Sequence, residues 1–82
     1  MILIDIYIPA LDVVYDFRVS EDVPVSQLKT EIVEMLCKKE KAQEVPEPED
    51  FLLCSKDNGR ILASVESLGS CGIRNGSRLI LV

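Results

Sequence analysis

The sequence predicts a two-layer α+β fold, a five-stranded mixed sheet with one helix packed on a single face. Three observations predict it. Apolar residues fall on alternate positions in two neighbouring runs, Ile2, Ile4, Ile6, Ile8 and then Val13, Tyr15, Phe17, Val19. They fall at intervals of three and four once, at Val25, Leu28, Ile32, Met35 and Leu36. Period two returns near the C-terminus, where Leu79 and Leu81 alternate with Arg78, Ile80 and Val82. A period of two means a strand with one buried face, and a period near 3.6 means an amphipathic helix.

The first strand is rich in β-branched isoleucine and ends at Pro9. Ala10, Leu11 and Asp12 turn the chain, and the second strand returns with Val14, Asp16 and Arg18 on its polar face. Two such runs joined by a short link form an antiparallel hairpin. Ser20, Glu21 and Asp22 precede Pro24, which suits the start of a helix because its missing N–H costs nothing there. The helix is expected over 25–39, with Lys38 and Lys39 near the negative end of its dipole. The run 43–50 cannot continue it, because Pro46 and Pro48 remove hydrogen bonds and Glu44, Glu47, Glu49 and Asp50 repel one another. An extended acidic loop is expected there.

Two short strands follow, over 51–55 and 60–63, joined by a turn at Lys56-Asp57-Asn58-Gly59. An irregular stretch then carries Leu68 inward, and Asn75-Gly76 turns the chain into the last strand, 78–82. A lone helix can cover only one face of the sheet, and the last strand fits best beside the first. The arrangement is the β-grasp, with strand order 2-1-5-3-4 and the first and fifth strands parallel at the centre. The 82 residues are read as one domain, 1–82, with an aliphatic core because the chain has two Phe, two Tyr and no Trp.

Composition narrows the function. A net charge of −5 with no basic cluster argues against nucleic acid and against an anionic membrane surface. No apolar run is long enough to cross a bilayer or to act as a signal peptide, so a cytoplasmic protein with no membrane insertion is expected. The sequence contains no histidine, which removes the commonest metal ligand and the commonest general base. Three cysteines, Cys37, Cys54 and Cys71, lack zinc or redox spacing and read as structural thiols in a reducing compartment. No Gly-rich phosphate loop and no paired catalytic carboxylates are apparent. No cofactor and no enzymatic activity are expected.

The spacing Leu62, Leu68, Ile73, Leu79-x-Leu81-Val82 resembles the second half of ubiquitin, and the ubiquitin-like pattern covers nearly the whole chain. The run Leu-x-x-Cys-Gly-Ile-x-Asn-Gly-x-x-Leu, Leu68 to Leu79, is similar to the small bacterial ubiquitin-like proteins of the YukD/EsaB family. That resemblance implies an accessory to the type VII (WXG-protein) secretion machinery of Gram-positive bacteria. Conjugated modifiers and sulfur carriers of this fold use a flexible Gly-Gly tail to reach an adenylating enzyme. The sequence reads to Val82 without one. A non-conjugating protein is therefore expected, rather than a modifier or carrier shortened before its tail. A generic ubiquitin-like adaptor unrelated to secretion is the alternative, and the genes flanking this one distinguish the two.

Binding is the function class left. Strand alternation leaves Leu3, Tyr7, Leu52, Ile80 and Val82 on the sheet face away from the helix, with Arg18 and Arg78 beside them. These seven residues are the candidate protein-binding patch. The expected occupant is a membrane or ATPase component of the secretion system, with a homodimer through the same face as the competing occupant.

Overall fold

The computed structural model describes residues 1–39, 41 and 47–82. Its strands are β1 (Ile2–Ile8), β2 (Val13–Val19), β3 (Leu53–Ser55), β4 (Arg60–Ile61) and β5 (Arg78–Leu81), and its helix is α1 (Val25–Lys39). The strands form one sheet in the order β2-β1-β5-β3-β4. β1 and β5 run parallel at the centre, and the other pairs are antiparallel. This is the ubiquitin-like β-grasp that the alternation and the single helix predict.

Each strand buries the residues its alternation marks. Ile4 and Ile6 are fully buried, Ile2, Ile8, Phe17 and Val19 nearly so, and Leu53, Leu79 and Leu81 complete the inner face. Val25, Leu28 and Ile32 of α1 press onto that face, and Leu62, Leu68, Cys71 and Ile73 close the core from the later loops. The core is aliphatic, as the near absence of aromatic residues requires.

α1 has the bounds its periodicity predicts. Its first free N–H groups are satisfied by the 64–66 loop: Val25 donates to the Glu66 carbonyl (2.7 Å) and Ser26 to the Ser64 carbonyl (3.0 Å). An isolated bridge between Pro24 and Ser67 holds the two segments together. Lys29 is buried, its ammonium donating to the Phe51 carbonyl at 3.2 Å and to Ser64 Oγ at 3.3 Å. The helix is thereby tied to the start of the second half of the sheet.

Four details depart from the sequence pattern. Met35 was expected in the buried stripe but is 39% exposed, while Val33 is only 2% exposed. The buried stripe is therefore set by 25, 28, 29, 32 and 33, because Lys29 can lie along the core edge with its ammonium bonded. Pro48–Asp50 forms a single 3-10 turn instead of extended chain, closed by the Phe51 N–H on the Pro48 carbonyl. The part of the expected acidic loop from 43 to 46 lies outside the described residues. The third and fourth strands are shorter than the patterns over 51–55 and 60–63, since regular pairing spans only Cys54–Ile61 and Ser55–Arg60. β5 ends at Leu81, but Leu52 and Val82 still exchange two backbone hydrogen bonds of 2.7 and 2.9 Å, which continue the β3–β5 ladder by one pair.

The corrected stripe is testable by equilibrium denaturation. Val33→Ala is expected to cost about 1–3 kcal/mol, because it empties buried space. Met35→Ala is expected to stay within about 0.5 kcal/mol, because it removes a largely solvated side chain.

Candidate functional site

The outer face of the sheet is a grid, since residues directly opposite one another across paired strands project from the same side. Register places Val14 beside Tyr7, Tyr7 beside Ile80, Ile80 beside Cys54, and Cys54 beside Ile61. An apolar row thus crosses all five strands. Leu52 and Val82, 47% and 53% exposed, form a second apolar pair next to it, one residue beyond the ends of β3 and β5.

A charged row lies on the other side. Asp16 is opposite Asp5, Asp5 is in register with Arg78, and Lys56 donates its N–H to the Arg78 carbonyl. Beyond that row sit Leu3 and Arg18, opposite each other. The seven predicted patch residues all reach the outer face, yet they are not contiguous. Tyr7, Ile80, Val82 and Leu52 come together. Leu3 and Arg18 are cut off by the Asp16-Asp5-Arg78-Lys56 row, and Arg78 lies inside that row instead of on a rim.

Three residues of the apolar row, Val14, Cys54 and Ile61, were not in the predicted patch. Val14 and Cys54 carry a legible signal, because alternation alone puts them on the outer face. Ile61 does not, because which face a two-residue strand presents depends on its register with β3.

Specific polar contacts hold the face in place. Asp57 accepts the Arg78 backbone N–H (3.0 Å) and its guanidinium (2.9 and 3.2 Å). These bonds hold the Asp57 carboxyl below its ordinary range. Tyr7 donates its hydroxyl to Asp12 at 2.9 Å, which pushes the phenol up. The Asp5 carboxyl is pushed up by sharing a hydrogen bond with Asp16, then by partial shielding from water and the charge of Asp16, against the pull of Arg78. A depression lined by Asp5, Tyr7, Val14, Lys56 and Arg78 opens where the apolar and charged rows meet.

The cysteines separate by environment. Cys54 is half-buried within the apolar row. Cys71 is buried under the loop, its carbonyl accepting from Asn58 Nδ2 at 3.3 Å. Burial first, and then the neighbouring Glu66 carboxylate, push its thiol up, which disfavours the thiolate a nucleophile needs. Among the described residues no group of His, Cys, Asp and Glu could hold a metal ion, and no helix is long and apolar enough to cross a membrane.

The sequence from 3 to 81 matches the family model described as "WXG100 protein secretion system (Wss), protein YukD". The chain belongs to the YukD family. No curated protein matches the sequence closely enough to count as a relative. Among solved structures the chain is similar to the N-terminal ubiquitin-like domain of the 4931431F19Rik protein, at TM-score 0.78 and 22% identity over 99% of this chain and 72% of that one. It is similar to the ubiquitin-like domain of the Arabidopsis thaliana protein At2g32350, at TM-score 0.75 and 21% identity over 99% and 74%. A designed protein based on human erythrocytic ubiquitin is similar at TM-score 0.77 and 28% identity over 100% and 90%. The matches under 25% identity establish the fold alone. YukD membership adds the association with WXG100 secretion, and the ubiquitin-like β-grasp is the scaffold on which this family member presents its outer face.

Two carboxylates beside Arg78, Asp57 and Asp5, respond to pH in opposite directions. Asp57 is lowered, so its contribution to stability is present above its unfolded value of 3.8 and is lost as pH falls through the folded value. Asp5 is raised, so its contribution is present below 3.8 and is lost as pH rises through the folded value. At neutral pH, Asp57→Asn should lower the melting temperature and Asp5→Asn should raise it. The Asp5→Asn difference should shrink in thermal melts carried down to about pH 3, where the raised Asp5 carboxyl is largely protonated, whereas the Asp57→Asn difference should shrink only at lower pH, as the lowered Asp57 carboxyl protonates.

Proposed function

We propose that this protein is a cytoplasmic, non-enzymatic binding module of WXG100 secretion. It docks the apolar row of its outer sheet face onto a protein component of the machinery, an ATPase or a membrane subunit. The observation that carries this reading is the row itself: Val14, Tyr7, Ile80, Cys54 and Ile61 in unbroken cross-strand register, extended by Leu52 and Val82. Large apolar side chains gathered on one face and bordered by charges are the usual composition of a protein interface. Isolated surface leucines would mean little, but here Leu52, Ile61 and Val82 are each about half exposed or more and share a face.

Charge supports a protein occupant over a membrane. The row beside the apolar residues carries Asp16 and Asp5 as well as Arg78 and Lys56, so it offers an anionic bilayer no net attraction. A partner with a mixed set of charges around an apolar centre fits both rows. The row also fixes where specificity should lie, with Arg78 held by Asp57 and so presented in one orientation.

The test is co-purification with the WXG100 components encoded beside this gene. Leu52→Asp and Ile61→Asp, each checked for folding by circular dichroism, are expected to reduce capture at least tenfold, as loss of an interface anchor does. Leu3→Asp, beyond the charged row, is expected to reduce it less than about threefold. Undiminished capture by folded Leu52→Asp and Ile61→Asp variants would remove the apolar row as the docking surface.

A further inference from the structure

The two ends of the sheet are not alike. β4 at one end has two residues, a short edge of the kind that resists pairing with other chains. β2 at the other end has seven, matched one for one with β1 from Val13 to Val19. It has no bulge to twist it away, and no proline interrupts 13–19. Among the described residues, the one protection of a long edge strand that is present is its charged side chains, Asp16 and Arg18 on the outer face.

Those charges do not protect in the ordinary way, because they are opposite in sign and two positions apart. A run of like charge repels a second copy in any antiparallel register. Asp16 and Arg18 repel it in one register and attract it in the next. Within the chain, the cross-strand neighbour of Asp16 is the like-charged Asp5, and that of Arg18 is Leu3. Among the described residues Arg18 makes no ion pair; the ion pairs are Arg60–Glu66 and Arg78–Asp57. The carboxylates at 5 and 16 thus lack a cation beside Asp16, and a cation stands unused two residues along the same edge.

We propose that the protein pairs with a second copy of itself along β2, in the antiparallel register whose two-fold axis passes at Phe17. Asp16 of each copy then lies opposite Arg18 of the other. The outer row across the junction runs Asp5, Asp16, Arg18 of the second copy, Leu3 of the second copy. On the inner face Tyr15 lies opposite Val19 of the other copy, and Phe17 opposite Phe17, so aromatic and β-branched cross-strand pairs line the junction. Moving the axis to Asp16 would set four carboxylates in one line, Asp5 and Asp16 from each copy, so the charges select one register and reject its neighbour. The contact is isologous and closed, giving a dimer rather than a filament, because the far end of each sheet is the two-residue β4. It leaves the apolar row on the outer face of both copies uncovered, and it is small, so a dissociation constant on the order of 10–1,000 μM is expected.

Sedimentation equilibrium of the full chain at low ionic strength, up to about 1 mM, tests this. The expected result is a monomer–dimer equilibrium that weakens with added salt. Asp16→Arg and Arg18→Asp are each expected to weaken it about tenfold, because each change turns two attractive pairs into two repulsive ones. The double variant Asp16→Arg/Arg18→Asp restores both pairs and is expected to return to within about threefold of the native constant. Leu52→Asp should leave it unchanged. A native chain monomeric at about 1 mM, a double variant no better than the singles, or a dimer abolished by Leu52→Asp would each overturn the proposal.

Discussion

The structure depends on how the last strand is held against the first. Leu3 donates its N–H to Asn75 Oδ1 at 2.8 Å, and its carbonyl accepts the Gly76 N–H at 2.8 Å. Asp5 then donates to the Ser77 carbonyl at 3.1 Å, and the parallel ladder begins at Asp5–Arg78. The side chain of one turn residue and the backbone of the next grip both sides of Leu3, 72 positions earlier in the chain. The turn works because Gly76 adopts φ = +87°, where a side chain would be strained. This grip fixes the register of β5. A slip by one residue would expose Leu79 and Leu81, now each 1% exposed, and drive Arg78 and Ile80 into the core. Burial of each such leucine stabilises by roughly 1.5–3 kcal/mol, so the neighbouring register is excluded by several kcal/mol.

Everything on the outer face inherits that register. Ile80 adjoins Tyr7 on one side and Cys54 on the other only because β5 sits between β1 and β3 at this setting. The same setting puts Arg78 level with Asp5, and so makes the charged row that divides Leu3 from the rest of the apolar surface. One turn therefore determines the core on the inner side and the interaction surface on the outer side. The two cannot be altered independently, whereas point substitutions on the outer face leave the core untouched.

Most of the fold was legible in the sequence because it is written in periods. The isoleucines of β1, the alternation of β2 and the helix from Val25 to Lys39 each repeat long enough for a period to be read. The misreadings fall where a residue's environment is set from far away. Met35 satisfies the helical period, but Lys29 and Val33 take the buried flank, because the Phe51 carbonyl and Ser64 supply acceptors for the ammonium. Pro48–Asp50 looked extended because proline and repelling acids forbid a long helix, yet a single 3-10 turn needs only the closing bond to the Pro48 carbonyl. The candidate patch was half legible for the same reason. Alternation identifies which residues face outward, but adjacency on a sheet is decided by register between strands distant in sequence. Leu3 and Ile80 share a face and are nonetheless separated by a row of charge.

The charged row does more than divide the surface. A directly opposed pair such as Asp5 and Asp16 is destabilising in a lone hairpin. Arg78 offsets it from the β5 side, and Asp57 in turn fixes Arg78 through both its backbone and its guanidinium. Charge is therefore balanced along the face from β1 to the β3–β4 turn, where Asp5 and Asp57 offset Arg78 and Lys56, but the balance fails at the β2 edge, where an acid faces an acid and the sheet stops. A sheet whose electrostatics are completed on three strands and left unbalanced on a long outermost one has an edge that favours a cation arriving from outside. The neighbouring residue on that same edge, Arg18, is the cation that a second copy would bring.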